Sequence, residues 1–240
     1  MMIRNIFIVF WLFSVVASAD EQSLKIKKIA DNVYQHVSYQ TIEPWGMVSA
    51  SGLIVVDGKD AYIIDTPWSQ GDTQQLVNWI ESKGFYPKSA IITHFHEDAS
   101  GGLSFLNQSR VKTYATAKTN DLLRIKGREP ANSEITSSTF QLVSDAIEIF
   151  YPGAGHTVDN VVVWLPQKSI LFGGCFVKSL ESKSLGNTED ASVQAWPDSI
   201  QNVIQKYPNI EVVVPGHGKA GDIELLRHTE KLALKIQSLQ

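Results

Sequence analysis

Two histidines and two carboxylates fall within five consecutive residues, His94-Phe95-His96-Glu97-Asp98. The apolar run Ala90-Ile91-Ile92-Thr93 ahead of them reads as a buried strand, and Ala99-Ser100-Gly101-Gly102 behind them reads as a turn into a helix. A strand that ends in His-x-His-x-Asp offers two imidazoles and a carboxylate at one sheet edge. Imidazole nitrogen and carboxylate oxygen are donors that Zn²⁺ prefers. Any one of these histidines alone would read as part of a solvated loop; it is the cluster that points to metal.

Three more donors follow. His156 sits in Pro152-Gly153-Ala154-Gly155-His156-Thr157, Cys175 in Phe172-Gly173-Gly174-Cys175, and His217 in Pro215-Gly216-His217-Gly218. Each follows an apolar stretch and lies in a Gly-rich turn, where small residues let backbone approach closely and donors converge. With His94, His96 and Asp98 they make six candidate ligands, enough for two zinc ions.

The elements that must hold these donors are legible in outline. Leu24 to Ile29 and Val33 to Ser38 alternate as strands, and Leu53 to Val56 and Ala61 to Ile64 flank the hairpin signal Asp57-Gly58. Tyr39 to Ser51, with Pro44, Trp45 and Gly46 in its middle, reads as irregular. Asp72 is expected to cap a helix through Leu76, Trp79 and Ile80 that ends at Gly84. Further helices are expected near Leu103 to Asn107, Lys118 to Lys126, Ser199 to Lys206 and Asp222 to Ile236. Strands are expected at Val111 to Tyr114, Phe140 to Val143, Ile147 to Tyr151, Val161 to Leu165, Ser169 to Phe172 and Glu211 to Val214, and a loop at Gly127 to Ser138. The strand-strand-helix rhythm recurs in both halves and suits two packed sheets with helices outside.

The chain has 240 residues, 43% of them hydrophobic, which is enough for one sizeable core and fits one domain. Residues 1–19 differ in kind: Arg4 is their only charge, Ile6 to Val16 is almost wholly apolar, and Ala17-Ser18-Ala19 is an A-x-A cleavage signature. This reads as a secretory signal peptide cut before Asp20, leaving a single domain over residues 20–240. The apolar run is shorter than the ~20 residues of a spanning helix. Losing Arg4 leaves 20 basic against 25 acidic residues, a net charge of −5, with no basic patch for nucleic acid. A lone Cys in an exported chain cannot close an internal disulfide. Metal ligation is its simplest use; a buried structural Cys is the alternative.

The ligand pattern resembles the metallo-β-lactamase fold, and within it the first subclass of class B β-lactamases, near the imipenemase type. Many other hydrolases of that superfamily carry a further His directly after the Asp and a bridging Asp where the Cys stands. Here these positions are Ala99 and Cys175. The similarity runs from about Leu24 to the C-terminal helix. It implies an α/β chain folded as a four-layer αβ/βα sandwich, with two mixed β-sheets and helices on both outer faces.

The resemblance also implies roles. His94, His96 and His156 would hold one zinc, and Asp98, Cys175 and His217 a second. A hydroxide between or upon the metals is the nucleophile against the strained lactam amide, without a covalent intermediate. Asp98 could also orient that hydroxide or relay a proton. Lys178, three residues after Cys175, would bind the substrate carboxylate, and Asn187 would polarise the lactam carbonyl. Tyr39 to Ser51 matches a mobile flap, in which Trp45 is either an apolar lid or a core side chain. Asp65 is either a support for the ligands or a turn cap. Glu97 and Ala99 depart from near relatives. His36 and His228 fall in no ligand pattern and read as structural.

The expected partner is a small-molecule β-lactam (penicillins, cephalosporins, carbapenems). The chain is expected to act as a periplasmic monomer without nucleic acid or stable membrane association, conferring resistance to the antibiotic. A hydrolase of thioesters, lactones or phosphoesters on the same fold, and a zinc storage protein, are the competing classes.

Overall fold

Strand β2 (Val33–Ile42) pairs antiparallel with β3 (Gly46–Asp57) over the whole length of β2, from Val33 opposite Val55 to Ile42 opposite Gly46. The segment expected to be irregular is therefore mostly a regular hairpin arm. Only Glu43, Pro44 and Trp45 form its tip, and Gly46 takes φ +74 there. Turn-forming Pro44 and Gly46 are local punctuation; the pairing of the flanking β-branched and aromatic residues extends the ladder on either side. The structure, a computed structural model, describes residues 24–238, so the expected leader 1–19 lies outside it.

The first sheet runs β1 (Lys25–Ala30), β2, β3, β4 (Asp60–Ile64), β5 (Tyr86–Ile91), β6 (Lys112–Thr116) and β7 (Ser133–Ile135). It is antiparallel through β4 and parallel from β4 to β7. The second contains β8 (Thr139–Val143), β9 (Ile147–Phe150), β10 (Val162–Leu165), β11 (Ile170–Gly174) and β12 (Val212–Pro215), in the order β12-β11-β10-β9-β8, with only β11 and β12 parallel. The loop expected over 127–138 thus contains the short strand β7.

Alternation along the strands builds the layers. Leu53 and Val55 face Val163, Leu165 and Phe172 of the second sheet, while Ile54 and Val56 face outward onto Leu76, Val77 and Ile80 of α1 (Gln70–Ser82) and Leu106 of α3 (Leu103–Gln108). The outer face of the second sheet, with Val162, Trp164, Leu171 and Val213, packs on α5 (Trp196–Lys206) and α6 (Glu224–Gln237). A strand buried on both faces must be apolar at every position, as Leu53 to Val56 is. Each such side chain stabilises the fold by about 1.5–3 kcal/mol. The result is the four-layer αβ/βα sandwich expected, and Leu53→Ala would open a cavity between its two sheets.

Helix α1 begins one turn earlier than expected. Ser69 is its N-cap, accepting from Asp72 N at 3.0 Å and donating to Asp72 Oδ2 at 2.9 Å. Asp72 is the third helical residue; its N–H and its carboxylate both bond the Ser69 hydroxyl, so it supports the cap rather than serving as it.

Candidate metal centre

All six candidate ligands lie just beyond strand ends. His94, His96 and Asp98 follow β5, with Asp98 inside the short helix α2 (Glu97–Ser100); His156 lies between β9 and β10; Cys175 follows β11 and His217 follows β12. Thr93 pins the first turn between the sheets: its N–H donates to Asp65 Oδ1 at 2.7 Å and its carbonyl accepts from Val161 N at 2.9 Å. The His217 turn docks just as closely. Gly216 N donates to Gly174 O at 2.7 Å, and a Cβ at residue 216 would stand 2.6 Å from Cys175 Sγ. Only glycine allows Cys175 and His217 to meet here.

The donor atoms converge. Three triples, His94/His96/Asp98, His94/His156/Cys175 and Asp98/Cys175/His217, each have their ligand atoms within 4.8 Å of one another. The rings of His94, His96 and His156 form a triangle with centroid separations of 4.9, 5.1 and 5.0 Å, each pair edge to face. His96 Nδ1 faces His156 Nε2 at 3.1 Å. On the other side Asp98 Oδ2 lies 3.0 Å from both Cys175 Sγ and His217 Nε2.

Partners outside the cluster select which nitrogen points inward in three of the four rings, those of His94, His96 and His217. Thr93 Oγ1 donates its one proton to Asp65 Oδ2 at 2.7 Å, so it accepts from His94 Nδ1 at 3.2 Å and leaves Nε2 inward. His96 Nε2 donates to Asp190 Oδ2 at 3.0 Å, which leaves Nδ1 inward. His217 Nδ1 donates to the Ser49 carbonyl, which leaves Nε2 inward. Hydrogen bonds of this kind fix tautomer and orientation at metal sites. Asp190 and the Ser49 carbonyl have no signal in sequence spacing, and sequence reasoning missed both. Asp65 is buried at φ +57 and supports the ligand turn through Thr93 rather than merely closing a strand.

Burial and the neighbouring charges perturb the buried donors in opposite directions. Burial pushes the Cys175 thiol well above its usual range, and the Asp98 charge pushes it further, against Lys178. Burial raises Asp98 too, but His217 and His94 outweigh it and hold the carboxyl well below its usual range. Burial lowers His94, yet Asp98 and Asp65 leave it raised. His156 is driven well down by burial and by Lys178, and His96 is lowered by burial and by His94. His94 Nε2 and Asp98 Oδ1 stand 3.4 Å apart, long for a hydrogen bond, and neither has another partner although both are buried. Imidazole, thiol and carboxylate donors, with buried inward atoms on His94 and Asp98 that have no hydrogen-bond partner, fit a thiophilic divalent cation.

A cavity of about 470 Å³ opens over His96, Asp98, His156 and His217. Ile42, Trp45 and Val48 of the hairpin arm line it, and so do Lys126, Arg128, Lys178 and Asn187. Trp45 is 64% exposed, so it projects over the cavity and is not a core side chain. Lys178 Nζ stands 5.5 Å over the Trp196 ring. His36 and His228 lie apart from the cluster, on Asp65 O at 3.0 Å and Ser182 O at 2.8 Å.

The fold and the donor set together define a protein built to hold metal between two packed sheets. The chain belongs to the metallo-beta-lactamase superfamily, which it matches over residues 45–217, a span containing all six donors. It is 42% identical to a "Metallo-beta-lactamase type 2" of Pseudomonas aeruginosa, over 94% of this chain and 91% of that one. It is 39% identical to the protein of the same description from Bacteroides fragilis, over 95% of each. The crystal structure of VMB-1 superposes with a TM-score of 0.89 at 56% identity, covering 90% of this chain and 98% of that one. That of DIM-1 metallo-beta-lactamase superposes at 0.86 with 47% identity, covering 89% and 98%.

Proposed function

We propose that the protein hydrolyses the amide bond of β-lactams (penicillins, cephalosporins and carbapenems) with two zinc ions, and so confers resistance to them. His94, His96 and His156 would hold one ion, and Asp98, Cys175 and His217 the other. The observation that carries this reading is the convergence of six donors beneath a cavity walled by Lys178 and Asn187. Relatives described as metallo-beta-lactamases over nearly their whole length support it.

Zinc, when bound, supplies a water acidic enough to lose its proton near neutral pH and a Lewis acid for a carbonyl oxygen. The chain's own residues do the rest. Lys178 presents a cation to the substrate carboxylate. Asn187 Oδ1 already accepts from Glu189 N at 3.0 Å, so its NH₂ end is the one able to donate to the lactam carbonyl. Asp98 Oδ1, without a hydrogen bond, can take up or pass on a proton. Trp45, with Ile42 and Val48, covers apolar substrate surface and excludes water.

No covalent intermediate is expected. Ser109-Arg110-Val111-Lys112 does have the Ser-x-x-Lys spacing of serine enzymes. However, Ser109 caps α3 and Lys112 lies over the Tyr114 ring at 4.9 Å, and neither lines the cavity.

Turnover of a chromogenic cephalosporin, abolished by a chelator and restored by zinc, is the expected result. Chelator-resistant turnover, or an acyl-enzyme seen by mass, refutes the mechanism. Turnover of thioesters, lactones or phosphoesters alone, or zinc binding without any turnover, would favour the competing classes.

Export completes the reading: residues 1–19 are removed and the domain 20–240 acts as a periplasmic monomer. The sequence of residues 1–19 supports this, and no helix among the described residues is long and apolar enough to cross a membrane. Mass spectrometry of the exported protein should show a chain beginning at or near Asp20, and an intact Met1 on active protein would contradict it. Sedimentation should give the mass of one chain.

A further inference from the structure

The turn His94-Phe95-His96-Glu97-Asp98 supplies three of the six donors, so small movements of it displace half of the centre. Its middle is held from outside. The Phe95 carbonyl accepts from Arg128 Nη2 and, at 3.1 Å, shares the single Ser100 Oγ proton with the His96 carbonyl. Arg128 Nη1 donates to Ser100 Oγ at 3.1 Å, and that hydroxyl also reaches the His96 carbonyl at 2.8 Å. One guanidinium therefore ties down the peptide carbonyls on both sides of His96, directly and through Ser100.

Arg128 stands on a rigid platform. Helix α4 (Ala117–Ile125) ends with Gly127 at φ +69, Gly127 N donating to Arg124 O at 3.0 Å and Arg128 N to Leu123 O at 2.8 Å. This is a Schellman closure, and it requires a left-handed residue at position 127. Lys126, two residues earlier, places Nζ 5.8 Å over the Phe95 ring. The same short segment thus grips both the backbone and the side chain of Phe95, which is buried. Burial lowers the Arg128 pKa, while the charges of Glu97 and Asp98 oppose that shift. The residue next to Asp98 is Ala99, which brings no charge of its own.

We infer that Arg128 is a positioning residue of the metal centre: it holds the Phe95 and His96 carbonyls so that His94, His96 and Asp98 present their donors together. The inference rests on the metal reading proposed above. Planar bidentate donation suits Arg and not Lys, whose single ammonium cannot bond two acceptors in that fork.

The test is zinc affinity, read by titrating metal-free protein against a chromophoric chelator, together with the visible spectrum of the cobalt(II)-loaded protein. Arg128→Met should weaken zinc binding about 10- to 100-fold and shift the cobalt d–d bands. It should lower kcat more than it changes KM. Arg128→Lys should recover part of the affinity. Wild-type affinity and an unchanged cobalt spectrum in Arg128→Met overturn the inference, even if its thermal midpoint falls, because Arg128 then serves the fold alone. Should Arg128→Met fail to fold, Arg128→Lys and Arg128→Gln decide on the same readouts, wild-type values overturning it. If the wild-type protein binds zinc but turns over no β-lactam, the hydrolase reading fails while the titration still decides on Arg128. A wild-type chain that binds no zinc removes both.

Discussion

Cys175 Sγ lies 3.0 Å from Asp98 Oδ2, with both residues buried. Two anions at that distance away from water would repel strongly. Burial and the Asp98 charge accordingly hold the thiol in its protonated form, and it donates to the carboxylate. A divalent cation can stand where that proton stands, which makes metal binding and proton release one event.

Cys175→Ser keeps the hydrogen bond to Asp98, so the metal-free fold should persist. A hydroxyl is a far poorer zinc ligand than a thiolate. Zinc content after dialysis should fall below that of the wild type, and turnover should drop at least about tenfold. Two tightly held zincs with unchanged turnover would show that Cys175 is not a ligand.

Asp190→Ala removes the acceptor that turns His96 Nδ1 inward. Zinc affinity should weaken by about 10- to 100-fold, and Asp190→Asn, whose amide oxygen can still accept, should lose less. Competition titration against a chelator measures both. Equal affinity in all three proteins would mean that His96 is oriented by its neighbours alone.

Lys178→Ala should raise KM more than it lowers kcat. The substrate carboxylate lies away from the breaking bond, so its contact with Lys178 is nearly the same in the ground and transition states. The loss should be about one charge-assisted hydrogen bond, ~1.5–3 kcal/mol. Nζ already rests over the Trp196 ring, so Lys178→Arg must re-seat a larger cation there and should recover only part. Steady-state kinetics on one cephalosporin decides; a large fall in kcat at constant KM would reassign Lys178 to the transition state.

His36 sets a pH dependence of stability. Burial lowers its pKa to about 4. Between the ordinary value, 6.5, and about 4, the unfolded chain binds a proton that the folded chain does not, so stability falls with falling pH across that window and levels off below it. The contribution is on the order of 3 kcal/mol. In urea melts of metal-free protein at pH 7 and 4.5, His36→Gln, which can still donate to Asp65 O, should lose less stability on acidification than the wild type. Equal losses would show that other groups carry the acid sensitivity.

The donors were legible before the fold because metal chemistry restricts residue type. Histidine, cysteine and aspartate at strand ends, flanked by Gly216 and Gly174, have few other reasons to cluster. The layers were legible for a similar reason: Leu53 to Val56 must be apolar at every position to be buried on both faces. The hairpin arm was misread at Tyr39 to Ser51, since a ladder between β2 and β3 depends on pairing across the turn and not on local composition.

Sequence alone determined which residues could bind metal and that they would meet at the ends of strands. Tertiary structure alone decided how they face. His96 is turned by Asp190, 94 residues away, His217 by the Ser49 carbonyl, 168 away, and His94 through Thr93 by Asp65, 28 residues before Thr93. Arg128 reaches the Phe95 carbonyl across 33 residues. An imidazole has two nearly equivalent nitrogens and a carbonyl carries no side-chain signature. Which atom points at the centre is therefore set by hydrogen-bond partners that only the folded chain brings into range.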